Sequence, residues 1–154
     1  MEIDTGFAPT VARIVDQVLR QALLKKCGFK EREIILFGFG QGGMVALQVA
    51  KEMGGREMGG VVSVGGVLSA EVTTPDGQKA KTPVLICGGS SQSLVTKGGL
   101  SRLREVFVEI TYHRWVREGD GMPRNREEML PVMRFLARRL RSRAGVPEGS
   151  VELG

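Results

Sequence analysis

The stretch that decides the fold is Ile34-Ile35-Leu36-Phe37-Gly38-Phe39-Gly40-Gln41-Gly42-Gly43-Met44-Val45-Ala46-Leu47. Its four leading apolar residues, Ile34 to Phe37, predict a short strand buried on both faces. The glycines predict a tight turn. Met44, Leu47, Val49 and Ala50 then predict a helix that ends at Gly54-Gly55. The same pattern repeats downstream. Val61 to Val64 predicts a strand closing in Gly65-Gly66, and Pro83 introduces Val84-Leu85-Ile86-Cys87, which ends in Gly88-Gly89. Val108 to Val116 predicts a fourth strand. Helices are expected from about Gly99 to Phe107 and from about Asn125 to Arg143, the latter with Met129, Val132, Leu136 and Leu140 inward. Upstream, Val11, Ile14, Val15, Val18, Leu19, Ala22 and Leu23 predict a helix with Pro9 near its start and Gly28 as its stop. Short apolar strands alternating with helices mean right-handed βαβ units. The expected fold is therefore α/β, a three-layer arrangement around a mainly parallel sheet of about four strands. Ligands of such sheets bind beyond the carboxyl ends of the strands. That singles out the loops 38–43, 65–69, 88–93 and 118–122.

Composition fits this reading and excludes others. The 154 residues, 42% hydrophobic and 25% charged, suit one globular domain, and aromatics at 5% leave an aliphatic core. The domain is expected over 1–145, with a C-terminal tail at 146–154 and a surface loop from Glu71 to Lys81. The net charge of +5 is concentrated at Arg134, Arg138, Arg139, Arg141 and Arg143 on the last helix. Without interleaved aromatics or a nucleic-acid motif, these arginines read as a solvated helix face whose stems cover apolar surface. Nucleic acid is not an expected partner. Cys27 and Cys87 form neither a disulfide framework nor a metal-ligand spacing, so no metal and no cofactor is expected. Glu2, Asp4 and Asp16 interrupt any leader, and no apolar run approaches the roughly 20 residues of a membrane span. The expected location is cytoplasmic.

The glycine turn carries two chemistries. Gly38, Gly40 and Gly43 fit G-x-G-x-x-G, the fingerprint of a dinucleotide-binding module. Such a site wants a carboxylate at the end of the next strand, and Gly65-Gly66-Val67-Leu68 has none. The other chemistry is the nucleophile elbow G-x-S-x-G with glycine in place of serine. Gly38-Phe39-Gly40-Gln41-Gly42-Gly43 closely resembles the acyl-protein thioesterase and phospholipase/carboxylesterase family of the α/β-hydrolase superfamily, whose elbow reads G-F-S-Q-G-G. Thr82-Pro83-Val84-Leu85-Ile86-Cys87-Gly88-Gly89 resembles the family's T-P-V-L-x-x-H-G strand, and Ile110 to Met122 resembles the strand and turn leading to its histidine.

Carried across position by position, the resemblance places the nucleophile on Gly40, the acid on Gln92 and the base on Met122, within Gly119-Asp120-Gly121-Met122. A triad needs an oxygen nucleophile, a base to take its proton and a carboxylate to hold the base. None of the three side chains supplies its part. His113, inside a strand, is read as structural, and Ser90 and Ser91 lack a base. The turn Gly38, Phe39, Gly40, Gln41 and Gly42 is then an oxyanion-hole remnant in which the Gln41 N–H is one donor. Family members carry further strands before the elbow and an early loop with the other donor. The resemblance thus implies missing N-terminal strands and an exposed apolar edge at 34–37, which fits a fragment of a longer protein, an incomplete gene model, or a half-domain completed by a partner or by itself. The expected function is a catalytically degenerate hydrolase serving as a binding or regulatory module. Its expected partners are a small acyl or ester ligand, and a protein or a second copy at the exposed edge. The alternatives are an active carboxylesterase or acyl thioesterase using residues outside the usual triad, and the dinucleotide-binding module.

Overall fold

The computed structural model describes residues 6–69, 72 and 77–140. Four strands, β1 (Ile35–Phe39), β2 (Gly60–Val64), β3 (Val84–Gly88) and β4 (Ile110–Arg114), form one parallel sheet in the order β1-β2-β3-β4. Four α-helices accompany them: α1 (Ala8–Arg13), α2 (Gln41–Met53), α3 (Lys97–Val106) and α4 (Arg126–Arg139). This is the α/β architecture expected from the alternation of apolar runs and helical periods. Residues 71 and 73–76 of the expected surface loop, and the whole of the expected tail, lie outside those described.

Register explains the layers. Val61 pairs with Val84 on one face, while Val62 pairs with Leu85 and Val64 with Cys87 on the other. The first face packs with Ala46, Leu47 and Ala50 of α2 and with Leu100, Leu103 and Val106 of α3. The second packs with Val132 and Phe135 of α4 and with Trp115. Every residue of β2 and β3 is buried, as a parallel sheet covered on both faces requires. Each buried Val, Leu or Ile there contributes about 1.5–3 kcal/mol relative to exposure, so these two strands anchor the domain. Buried polar backbone is also met: the Met58 N–H donates to the Thr82 hydroxyl at 2.9 Å.

Three features differ from the sequence expectation; one is Leu140, expected inward, which is 58% exposed just past the end of α4. The first helix continues past Arg13 as a π-type helix (Ile14–Lys26), and the Cys27 N–H reaches back five residues to the Ala22 carbonyl at 2.9 Å. A wider helix keeps positions four apart in line, so Val11, Val15 and Leu19 are buried against Val49 and Met53 of α2. Val18, expected on the inner face from a 3.6-residue period, is 46% exposed instead. The third difference is at β1, which extends two residues further than its apolar run and takes in Gly38 and Phe39. Phe37 and Phe39 pair with Val62 and Val64 and so belong to the α4 face, yet they are 43% and 52% exposed. Among the described elements, α4 covers β2 and leaves this corner of β1 open.

Candidate functional site

The glycine turn sits where β1 hands over to α2. Gly40 is the N-cap of α2 and adopts φ 57°, ψ −121°, a conformation that a side chain rarely tolerates. The turn is held from below. The Gly40 N–H donates to the Val64 carbonyl at 2.8 Å, and the Gly40 carbonyl accepts the Met44 N–H at 3.1 Å. The Ser63 hydroxyl donates to the Gly66 carbonyl at 2.9 Å. Close packing dictates two of the glycines. A Cβ on Gly38 would overlap the Gly42 carbonyl oxygen, and one on Gly43 would overlap the Ser63 hydroxyl. Gly40 differs: a Cβ there meets nothing within 4 Å. The turn is thus packed tightly at Gly38 and Gly43, with open space at Gly40. Gln41 and Gly42 open α2, so their N–H groups lack a carbonyl one turn earlier. Phe39, the other member of the expected remnant, ends β1 exposed.

Gln92 and Met122 lie on two adjoining loops at the same end of the sheet. Gln92 follows β3, is exposed and holds a positive φ of 49°. Met122 follows β4 and is 44% exposed. The loops are stitched together by backbone: the Ser90 N–H donates to the Arg117 carbonyl at 2.7 Å, and the Gly119 N–H donates to the Ser91 carbonyl at 2.8 Å. Arg117 then clamps the second loop. Its guanidinium donates to the Gly121 carbonyl, to the Met122 carbonyl at 3.1 Å and to the Glu128 carboxylate at 2.9 Å, and it stacks 4.3 Å from the Trp115 ring centre.

One carboxylate at this end of the sheet is a site residue that the motifs do not single out. Asp120 accepts the Gly89 N–H at 2.9 Å, the Ser93 hydroxyl at 2.5 Å and the Leu94 N–H at 2.7 Å. Its Cβ lies so close to Gly65 that a Cβ on that glycine would be 2.8 Å away. Gly66, the next residue, crowds the Gly40 carbonyl in the same way, at 2.7 Å. Gly40, Gly65-Gly66, Asp120 and the 89–94 loop therefore form one continuous surface across the strand ends. The signal that the sequence offers for it is an acid between two glycines, Gly119-Asp120-Gly121, just past the last strand.

Of the other nucleophile candidates, Ser90 is occupied and Cys87 suppressed. The Ser90 hydroxyl donates to the Arg117 carbonyl at 3.0 Å. Cys87 is fully buried, and that desolvation pushes its thiol up to about 12, only partly opposed by Arg117. A thiol held neutral is a poor nucleophile. His113 lies in β4 with its ring edge-on to Trp115, 6.4 Å between centres. The arginines of α4 divide. Arg134 and Arg138 are exposed, while Arg139 donates to the Gly59 carbonyl at 2.5 Å and lies 3.7 Å from the Glu57 carboxylate. Arg141 and Arg143 lie outside the described residues. Among the described residues, no helix is long and apolar enough to cross a membrane.

Comparison with known proteins agrees with this architecture. The sequence profile of the phospholipase/carboxylesterase family matches residues 4–137. An uncharacterised hydrolase of Schizosaccharomyces pombe is 29% identical over 115 residues, which are 73% of this chain and 47% of that protein. The crystal structure of SOBER1 from Arabidopsis thaliana superposes with a TM-score of 0.62 at 19% identity, covering 86% of this chain and 66% of that one. Esterase PE8 superposes with a TM-score of 0.56 at 23% identity, covering 77% and 55%. These two likenesses speak to the fold. The chain spans about half the length of the curated relative and about two thirds of SOBER1.

Proposed function

We propose that this chain, which belongs to the phospholipase/carboxylesterase family of α/β-hydrolases, is a catalytically degenerate member that binds rather than hydrolyses. The observation that carries the proposal is Gly40. The elbow keeps φ 57°, ψ −121° and open space at its tip, yet the residue there has no atom with which to attack. Gln92 and Met122, at the positions matched to acid and base, support the same reading, because an amide and a thioether take up no proton at neutral pH. Asp120 is a carboxylate nearby, but its oxygens are committed to three donors of the 89–94 loop.

What remains is a binding surface. The N–H groups at the start of α2 suit the carbonyl oxygen of an acyl or ester ligand. The exposed Phe37 and Phe39 suit an apolar partner, either another protein or a second copy of the chain adding to the open edge of β1. The dinucleotide reading gains no support, since residues 65–68 after β2 bring no carboxylate to hold a ribose. Hydrolysis of short-chain and long-chain p-nitrophenyl esters and of a palmitoyl thioester is the test. The proposal expects rates equal to buffer. Saturable turnover that survives repurification and disappears on heat denaturation would overturn it in favour of an active carboxylesterase or thioesterase.

A further inference from the structure

The loop after β3 and the end of β4 border an open surface pocket of about 320 Å³, lined among others by Ser91, Gln92, Lys97, Tyr112 and Arg114. Both charged residues in its wall are cations. The Asp120 carboxylate adjoins this wall, where it accepts from Gly89, Ser93 and Leu94, and is not part of the lining. Arg114 is already oriented, with one guanidinium N–H donating to the Ser90 carbonyl at 2.8 Å and its other donors spare. Among the described residues, the Lys97 ammonium, the Ser91 hydroxyl, the Gln92 amide and the Tyr112 hydroxyl make no hydrogen bond or ion pair. Burial raises the Tyr112 phenol above its ordinary value, so at neutral pH it stays an O–H donor. Val95 and Leu100 form part of the apolar floor.

We infer that this pocket is a binding site for a phosphate group, held by the Lys97 ammonium and the Arg114 guanidinium with Ser91, Gln92 and Tyr112 as further donors. The donor count favours phosphate over carboxylate. A carboxylate has two oxygens to satisfy, whereas a guanidinium, an ammonium and two hydroxyls line one pocket and offer more donors, as a tetrahedral oxyanion requires. The site lies over β3 and β4, on the 89–94 loop that shares the surface around Gly40, and its test reads binding alone, so its outcome is distinguishable from whether the chain hydrolyses esters.

The test is titration of the full chain with inorganic phosphate at low ionic strength, followed by backbone amide NMR, with a phosphate monoester and succinate in parallel. Saturable shifts confined to residues 89–97 and 112–114 are expected for phosphate and its monoester. Lys97→Gln, at an exposed side chain, is expected to weaken binding about tenfold, the loss typical of one charge-assisted hydrogen bond. Lys97→Gln with Arg114→Gln is expected to abolish it while the rest of the spectrum stays folded. Shifts spread over the arginines of α4, equal affinity in Lys97→Gln, tighter binding of succinate, or no saturation would each overturn the inference.

Discussion

Replacing Gly40 by serine restores the atom that the elbow lacks, and its consequence can be worked out from the backbone. The new Cβ meets no heavy atom within 4 Å, so steric overlap adds nothing. The cost is the strain of holding a side chain at φ 57°, ψ −121°, about 1–3 kcal/mol. The lower entropy of the unfolded serine chain offsets roughly 0.4–1 kcal/mol of that. A net loss of about 1–2 kcal/mol remains, which for a domain of this size lowers Tm by roughly 2–8 °C. Gly38→Ala is the contrasting control, because its Cβ would overlap the Gly42 backbone, which cannot move aside. Its loss should clearly exceed that of Gly40→Ser. Thermal and urea unfolding followed by circular dichroism gives both values, and p-nitrophenyl acetate gives the activity. Gly40→Ser is expected to fold, to be less stable than the parent and to hydrolyse no ester above background. A variant more stable than the parent would refute the strain argument, and clear turnover would refute the claim that acid and base are missing as well.

The remaining predictions concern other parts of the site. Cys87, pushed up to about 12 by burial, keeps its proton in the fold while the unfolded thiol loses it near 9. This contribution to stability is fully present below pH 9 and falls between pH 9 and 12, by about 1 kcal/mol per pH unit. Cys87→Ala should remove that slope in urea titrations, and at neutral pH a maleimide should label exposed Cys27 but not Cys87 in the native protein. Asp120→Ala should cost about 2–4 kcal/mol, since three donors lose one ionised acceptor. Hydrogen exchange should then rise at Gly89 and Leu94 first, and unchanged protection there would contradict the role of Asp120 in holding the 89–94 loop. If β1 is an open edge, light scattering should show concentration-dependent association that Phe37→Lys with Phe39→Lys reduces. Equal association in that variant would place the contact elsewhere.

Much of this architecture is legible in the amino-acid sequence. The strand–turn–helix around Gly40 is readable because apolar runs, glycines and helical spacing change together over a few residues. The four-strand parallel sheet is readable because its apolar runs alternate with helical periods and three of them close in glycine. The π-type helix is not, because a pattern at 11, 14, 15, 18 and 19 fits the ordinary 3.6-residue period. Only the packing of Val11, Val15 and Leu19 against α2 separates the two windings. Asp120 is hidden for a different reason. The family motif points to Met122, two positions on, and the donors that give the carboxylate its role come from the distant 89–94 loop. The phosphate pocket is invisible in the same way. Lys97, at the start of α3, and Arg114, in β4, are apart in sequence and line one pocket only because β3 and β4 are neighbours in register.

The central claim, that the elbow is intact but has no nucleophile, is tested most directly by a fluorophosphonate probe, which bonds only to an activated serine. The parent chain should remain unlabelled at probe concentrations that saturate an active esterase, with intact mass unchanged. A single covalent adduct on any serine, blocked by prior unfolding, would contradict the account and show that the chain carries a working nucleophile outside the elbow.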